Sequence, residues 1–195
     1  ISGNKIASLS CSGGEASLIA DLAEPFNFRF PKLSSKQKRQ LKSALGDLVH
    51  LSNPLDYQTY VWNDQVKLTM AFKSMMEETY DFLFIIMDLP KQGRCSSDSW
   101  HPSIAALKEA KKIAKCPVGL ITSLEENMPE KFAKDLIKHS IIPLTGLENS
   151  LAAVKALQNV SIQWKIKSTP SIIWERWPNE KSRVLDEYKS KKVLS

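Results

Sequence analysis

A three-layer α/β fold, with helices covering both faces of a doubly wound parallel sheet, is what this sequence predicts. Three observations carry that expectation. Short apolar runs recur at strand length, at residues 6–9, 81–87 and 118–121. Longer amphipathic stretches separate them. At 195 residues the chain is long enough to bury one good α/β core with a remainder.

The elements follow in order. Residues 6–9 read as a buried strand, and Ser12, Gly13 and Gly14 as a sharp turn. A helix follows, with Ala16, Leu18, Ile19 and Leu22 at helical spacing, and ends near Pro25. Residues 26–30 read as a second short strand closed by Pro31. Ser34 and Ser35 cap a basic helix over 36–48, with Leu41, Leu45 and Leu48 inward. Residues 49–51 form a short strand that runs into Asn53-Pro54-Leu55-Asp56. Asp64 caps a helix over 65–79, whose Val66, Leu68, Met70, Phe72, Met75 and Met76 make a broad apolar face. These methionines read as core filler. After the strand at 81–87 comes a long polar loop, 88–99, then a helix at 100–115 stopped by Pro117. The strand at 118–121, a helix at 130–139, a strand at 141–144 and a helix from 147 to about 160 complete the alternation. Five or six strands joined by helices give a parallel, flavodoxin-like sheet. In such sheets ligands gather at the carboxyl ends of the strands. The Ser12 turn and the loops at 53–62 and 88–99 are expected on that edge.

Composition narrows the function classes. The hydrophobic fraction is 43% and the charged fraction 25%, ordinary for a globular chain. The net charge is +6, but the basic residues are spread out. Lys36, Lys38, Arg39 and Lys42 fall on one helix, and Lys108, Lys111, Lys112 and Lys115 on another. Without interleaved aromatics to stack bases they read as solvated faces, so no nucleic-acid partner is expected. Three distant cysteines, Cys11, Cys95 and Cys116, have no metal-ligand spacing and point to a reducing, cytoplasmic compartment. No run of about eighteen apolar residues calls for a membrane, and no signal peptide is expected from the pattern. The chain starts at Ile1 and stops at Ser195 just after a helical pattern begins, so both ends read as cuts through a longer protein.

The candidate site is the Ser12-Gly13-Gly14 turn. A helix starting there aims unsatisfied N–H groups and its positive dipole end at whatever lies above the strand, a phosphate or a carboxylate. The alternative is a tight strand–helix turn with no ligand. The spacing is neither a P-loop nor a dinucleotide fingerprint. Ser10, Cys11 and Ser12 are the local nucleophiles, but none has a histidine placed beside it by sequence. His50, His101 and His139 read as surface or packing residues. Glu15 sits where the helix dipole favours its charge, Asp56 can bond its own turn, and Trp62 is either a ligand platform or a loop aromatic.

The segments SCSGGEASLIADLAE (10–24), LSNPLDYQTYVWND (51–64), DFLFIIMDLP (81–90) and GLITSLEENMPE (119–130) occur in that order. Together they resemble the NDP-forming acyl-CoA synthetase superfamily, which includes the ADP-forming acetate–CoA ligases and is similar to succinyl-CoA synthetase. The resemblance spans about residues 5–160 and identifies the segment with the family's second flavodoxin-like domain. The end of the chain, RVLDEYKSKKVLS, resembles the first helix of the ATP-grasp domain that follows in fused members. This implies a flavodoxin-like domain at 1–167, then a linker and truncated ATP-grasp start at 168–195.

The resemblance implies a reaction in which carboxylic acid, CoA and ATP give acyl-CoA, ADP and phosphate. A histidine on another domain carries the phosphoryl group. Ser12, Gly13, Gly14, Glu15, Asn53, Asp56 and Trp62 would then contact phosphate or acyl group, with Asn53 to Asp56 matching the family's Asn-Pro-x-Asp turn. The family's His-Thr-Gly segment is absent from this chain. No catalytic residue, cofactor or metal is therefore expected within it, and ATP, Mg and CoA belong to the full-length enzyme. The partners implied are the CoA-binding, phosphohistidine-bearing and ATP-grasp domains of the parent, itself a homo-oligomer, and the isolated chain should be inactive. Acetyltransferase-fused relatives that have lost ligase activity leave open a non-catalytic module binding acyl-CoA or a partner domain. A free-standing flavodoxin-like protein is the other alternative.

Overall fold

The computed structural model describes residues 1, 3–91, 93–166 and 185–193. It divides into two compact units, Ile1–Lys165 and Ile166–Ser195. The first holds the strands β1 (Ile6–Ser10), β2 (Leu55–Asp56), β3 (Phe82–Ile86), β4 (Val118–Thr122) and β5 (Ile142–Thr145). Its helices are α1 (Gly13–Ala23), α2 (Ser35–Leu45), α3 (Gln65–Met76), α4 (His101–Lys111), α5 (Glu130–Lys138) and α6 (Leu147–Gln163). The strands form one five-stranded sheet in the order β2-β1-β3-β4-β5. Every pairing is parallel, as the doubly wound expectation required. The second unit contributes α7 (Glu187–Val193) within the described residues.

Side-chain alternation explains the three layers. Ile6, Phe82, Phe84, Ile86 and Ile121 point to one face, where they meet Ile19 and Ala23 of α1 and Leu147, Leu151 and Val154 of α6. Ala7, Leu9, Leu83, Ile85, Val118 and Leu120 point to the other, against α2, α3, α4 and Leu136 of α5. Both faces of the central strands are buried, which is why they read as continuous apolar runs rather than alternating ones.

Several boundaries differ from the sequence expectation. Residues 26–30 are not a strand. Only an isolated bridge, Lys5 to Arg29, forms there, because Asn27 turns the chain through φ 57° and leaves a single contact point. Residues 49–51 are likewise outside the sheet. The edge strand is Leu55–Asp56, and Val49 is buried against the α2–α3 layer. Helix α2 stops at Leu45, since Gly46 takes φ 82°, and this leaves Leu48 80% exposed rather than inward. On α3, Val66 and Met70 face solvent, while Leu68, Phe72, Met75 and Met76 are buried. The expected caps are present: Ser34 forms a capping box with Gln37, and Asp64 accepts from the Lys67 N–H. The linker expected at 168–183 lies outside the described residues.

In this strand order the connections leave in opposite directions from β1 and β3. The crevice between their carboxyl ends is the topological switch point, where open α/β sheets bind ligands.

Candidate functional site

Strand β1 delivers Ser10 and Cys11 to the carboxyl edge, and α1 begins two residues later. The Ser10 hydroxyl donates to the Ser12 carbonyl at 2.9 Å, and the Tyr57 N–H donates to the Ser10 carbonyl at 2.9 Å. These bonds fix the turn against the loop after β2. Ser12 is the N-cap, but its side chain makes no capping bond. The first intrahelical bond runs from the Ala16 N–H to the Ser12 carbonyl. The N–H groups of Gly13, Gly14 and Glu15 have no acceptor among the described residues, as the first turn of a helix dictates.

Beside this helix start lies a cleft of about 460 Å³. Cys11 and Glu15 line it from the β1 side, Thr59, Trp62 and Asn63 from the loop after β2, and Met87, Asp88 and Trp100 from beyond β3. It sits at the switch point. The two indoles stand at 89° to each other with ring centres 5.7 Å apart. The Trp100 indole N–H donates to the Asp88 carbonyl at 2.8 Å, and the Asp88 carboxylate accepts from the Ser123 N–H at 2.7 Å. Asp88 thus ties the ends of β3 and β4 together while facing the cleft. Asp56 is held by Gln58, whose N–H and side-chain amide both donate to it at 2.9 and 3.0 Å.

The cleft is acidic. Burial, then the negative charges of Asp88 and Asp56, push the Glu15 carboxyl up to about 7. One of its oxygens, Oε2, is buried with no partner. Burial, followed by the charge of Glu15, pushes the Cys11 thiol up to about 11, so at neutral pH it is protonated and a poor nucleophile. The Tyr57 hydroxyl is fully buried and unpartnered. Burial, then the charges of Cys11, Glu15 and Asp56, raise its pKa well above the ordinary value. Among the described residues, no lysine, arginine or histidine lines the cleft.

Of the residues singled out by sequence, Glu15 and Trp62 line the cleft. Asp56 adjoins it, its Oδ2 lying 3.2 Å from where a Cβ on Gly13 would stand. Ser12, Gly13 and Gly14 form the helix start beside it. Asn53 lies elsewhere. Its side-chain oxygen accepts from the Ser8 N–H at 3.2 Å, and its amide donates to the Ile6 and Pro31 carbonyls at 3.1 and 3.2 Å. The side chain stands in for a missing strand along β1. Asp88 and Trp100 did not stand out in the sequence. An acid directly after a buried strand was the available signal for Asp88. Nothing local marked Trp100. The three histidines are exposed. Lys36, Lys42, Lys108 and Lys112 are ion-paired with Glu77, Asp47, Asp135 and Glu109. No helix among the described residues is long and apolar enough to cross a membrane, and no cluster of metal-ligating side chains occurs among them.

Comparison with family models gives no match, and comparison with curated proteins gives none. Solved structures do match. PH0766 from Pyrococcus horikoshii OT3 superposes with a TM-score of 0.68 at 22% identity, over 84% of this chain and 37% of that one. The dinucleotide forming acetyl-coenzyme A synthetase 1 of Ca. Korarchaeum cryptofilum superposes in its apo form with a TM-score of 0.58 at 17% identity. Its complex with phosphate and ADP gives 0.59 at 17% identity, over 82% of this chain and 33% of that one. These likenesses show the fold. This chain spans about a third of the length of the structures it matches.

Proposed function

We propose that this chain is the second flavodoxin-like domain of an NDP-forming acyl-CoA synthetase, whose other domains supply the phosphohistidine, the CoA site and the ATP-grasp site. The observation that carries the reading is the start of α1. Three N–H donors, on Gly13, Gly14 and Glu15, converge without partners beside a cleft at the switch point of the sheet. A phosphoryl group brings about two negative charges and several acceptor oxygens, which suits such an end. The Ser12-Gly13-Gly14-Glu15 segment and Trp62 stand at this edge, and a structural neighbour described as an acetyl-coenzyme A synthetase in complex with phosphate and ADP shares the fold.

The chemistry asks this domain to position rather than to react. In the proposed reaction the acid oxygen takes a phosphoryl group, and the CoA thiol then displaces phosphate from the acyl carbon. The residues here would hold the phosphoryl oxygens at the helix tip and the acyl chain in the cleft. The carboxylates of Glu15, Asp56 and Asp88 confine a dianion to the exposed tip at Gly13 and Gly14, away from the cleft floor. A cytoplasmic setting, proposed from cysteine usage, is supported by three unpaired thiols.

The test uses a full-length parent. A Cβ at Gly14 would meet nothing closer than the Ser12 Oγ at 3.5 Å, so Gly14→Val fits the fold while its branched side chain shields the N–H donors. Phosphoenzyme formation from labelled ATP should fall at least about tenfold with the melting temperature unchanged. Wild-type phosphorylation and turnover in the variant would reduce the Gly14 turn to a turn. The isolated chain should make no acyl-CoA from acid, ATP and CoA, and steady turnover would refute its assignment as a carrier-less fragment.

A further inference from the structure

We infer that the cleft beside α1 receives an organic cation, the ammonium group of a small amine-bearing ligand. Its walls combine carboxylates with aromatic surface and, among the described residues, contain no basic side chain. Trp62 and Trp100, at right angles, present the π surface that attracts alkylated ammonium groups. Glu15 and Asp88 face the same space. The buried Glu15 Oε2 is an acceptor without a donor, and Asp56 adds negative charge from the side. The Tyr57 hydroxyl, fully buried and unpartnered, lies within electrostatic reach of Glu15. Away from the open N–H groups at the α1 start, an anion in this space would meet the carboxylates of Glu15 and Asp88 and no basic side chain among the described residues. A neutral apolar group would leave Glu15 Oε2 buried and unpaired. A cation sets positive charge against that oxygen and lowers the repulsion among the three carboxylates.

Within the proposed synthetase, and resting on that reading, this names the substrate class: a carboxylic acid whose chain carries an ammonium group. The acyl phosphate end would lie at the Gly13–Gly14 tip and the cationic end in the tryptophan-lined cleft. Cation binding carries a pH signature. The titratable groups facing Glu15 are Cys11 beyond β1, Asp56 and Tyr57 at and after β2, and Asp88 beyond β3. Burial and the neighbouring carboxylates push the Glu15 carboxyl up to about 7. Binding should strengthen about tenfold from pH 6 to pH 8, as Glu15 goes from mostly protonated to mostly ionised.

The experiment titrates the 195-residue chain with choline, with its uncharged isostere 3,3-dimethyl-1-butanol and with sodium phosphate, following the indole N–H signals by NMR. Choline should shift the Trp62 and Trp100 signals saturably at pH 8, and the isostere should bind at least about tenfold more weakly. Glu15→Gln should weaken choline binding about tenfold and abolish its pH dependence. Trp62→Leu should weaken binding more than Trp62→Phe, which retains a π face. Equal binding of choline and the isostere, displacement by phosphate, or no choline response would each overturn the inference. The two readings fail separately. A parent that makes acyl-CoA while this cleft ignores choline refutes only the cation. Choline binding beside a parent without ligase activity refutes only the enzyme.

Discussion

A carboxyl group that keeps its proton up to about pH 7 makes folding itself depend on pH. The folded chain binds the Glu15 proton more tightly than the unfolded chain, whose carboxyl titrates near 4.5. The associated stability is therefore fully present below about pH 4.5 and is lost as pH rises through about 7. Glu15→Gln should flatten this slope. Because Glu15 is only half-buried, solvent screening reduces the effect to about 1 kcal/mol, or roughly 3 °C in Tm. The variant should melt higher than wild type at pH 8 and equal to it at pH 4, by calorimetry. Tyr57→Phe removes a buried hydroxyl that has no partner and should be neutral or stabilising by up to about 1 kcal/mol in urea titration. A clear loss would mean that the hydroxyl is satisfied in solution. Glu15 and Trp62 were visible in the sequence because a helix start and a loop aromatic are local signals. Met87, Asp88 and Trp100 reach the same cleft from beyond β3, and only the strand order brings them to Cys11. Asn53 looked like a site residue by resemblance, whereas its hydrogen bonds serve the sheet.

The helices α2 and α3 were readable from their caps, because Ser34 and Asp64 each satisfy an N–H that a helix start leaves open. Ser34→Ala should cost about 1 kcal/mol, measured by denaturant unfolding, since it removes the hydroxyl that accepts from the Gln37 N–H. The edge strand was misplaced for a physical reason. Residues 49–51 are apolar because Val49 packs into the α2–α3 layer, and pairing with β1 begins only at Leu55. Hydrophobicity reports burial, and burial need not mean a ladder. Within β4 the tight point is Gly119. A Cβ there would lie 2.8 Å from the Leu144 Cδ1 and 2.9 Å from the Phe82 Cε1. Gly119→Ala should therefore destabilise by about 1–3 kcal/mol through overpacking, read as a lower urea midpoint with unchanged slope.

At the scale of the molecule, alternation of strand and helix was enough to anticipate a parallel three-layer sheet, since parallel neighbours need crossovers. The helix inserted between α1 and β2 could not be assigned a face by pattern alone. Leu41, Ala44 and Leu45 put it with α3. The unit Ile1–Lys165 contains the whole sheet and both its helical layers. A chain of residues 1–165 should fold alone, with a cooperative melt within about 2 °C of the full chain. Asn53 bears on behaviour between molecules as well as within one. Strand β2 covers only Leu9 and Ser10; farther along that edge the Ile6 N–H donates to the Arg29 carbonyl, and the Asn53 side chain takes the Ile6 carbonyl and the Ser8 N–H. One amide therefore acts as a stopper on a row of backbone groups that would otherwise recruit a strand from a second chain. Asn53→Ala should do more than lower the urea midpoint. It should also make the protein self-associate on mild warming, with light scattering rising before the unfolding transition, where wild type stays clear.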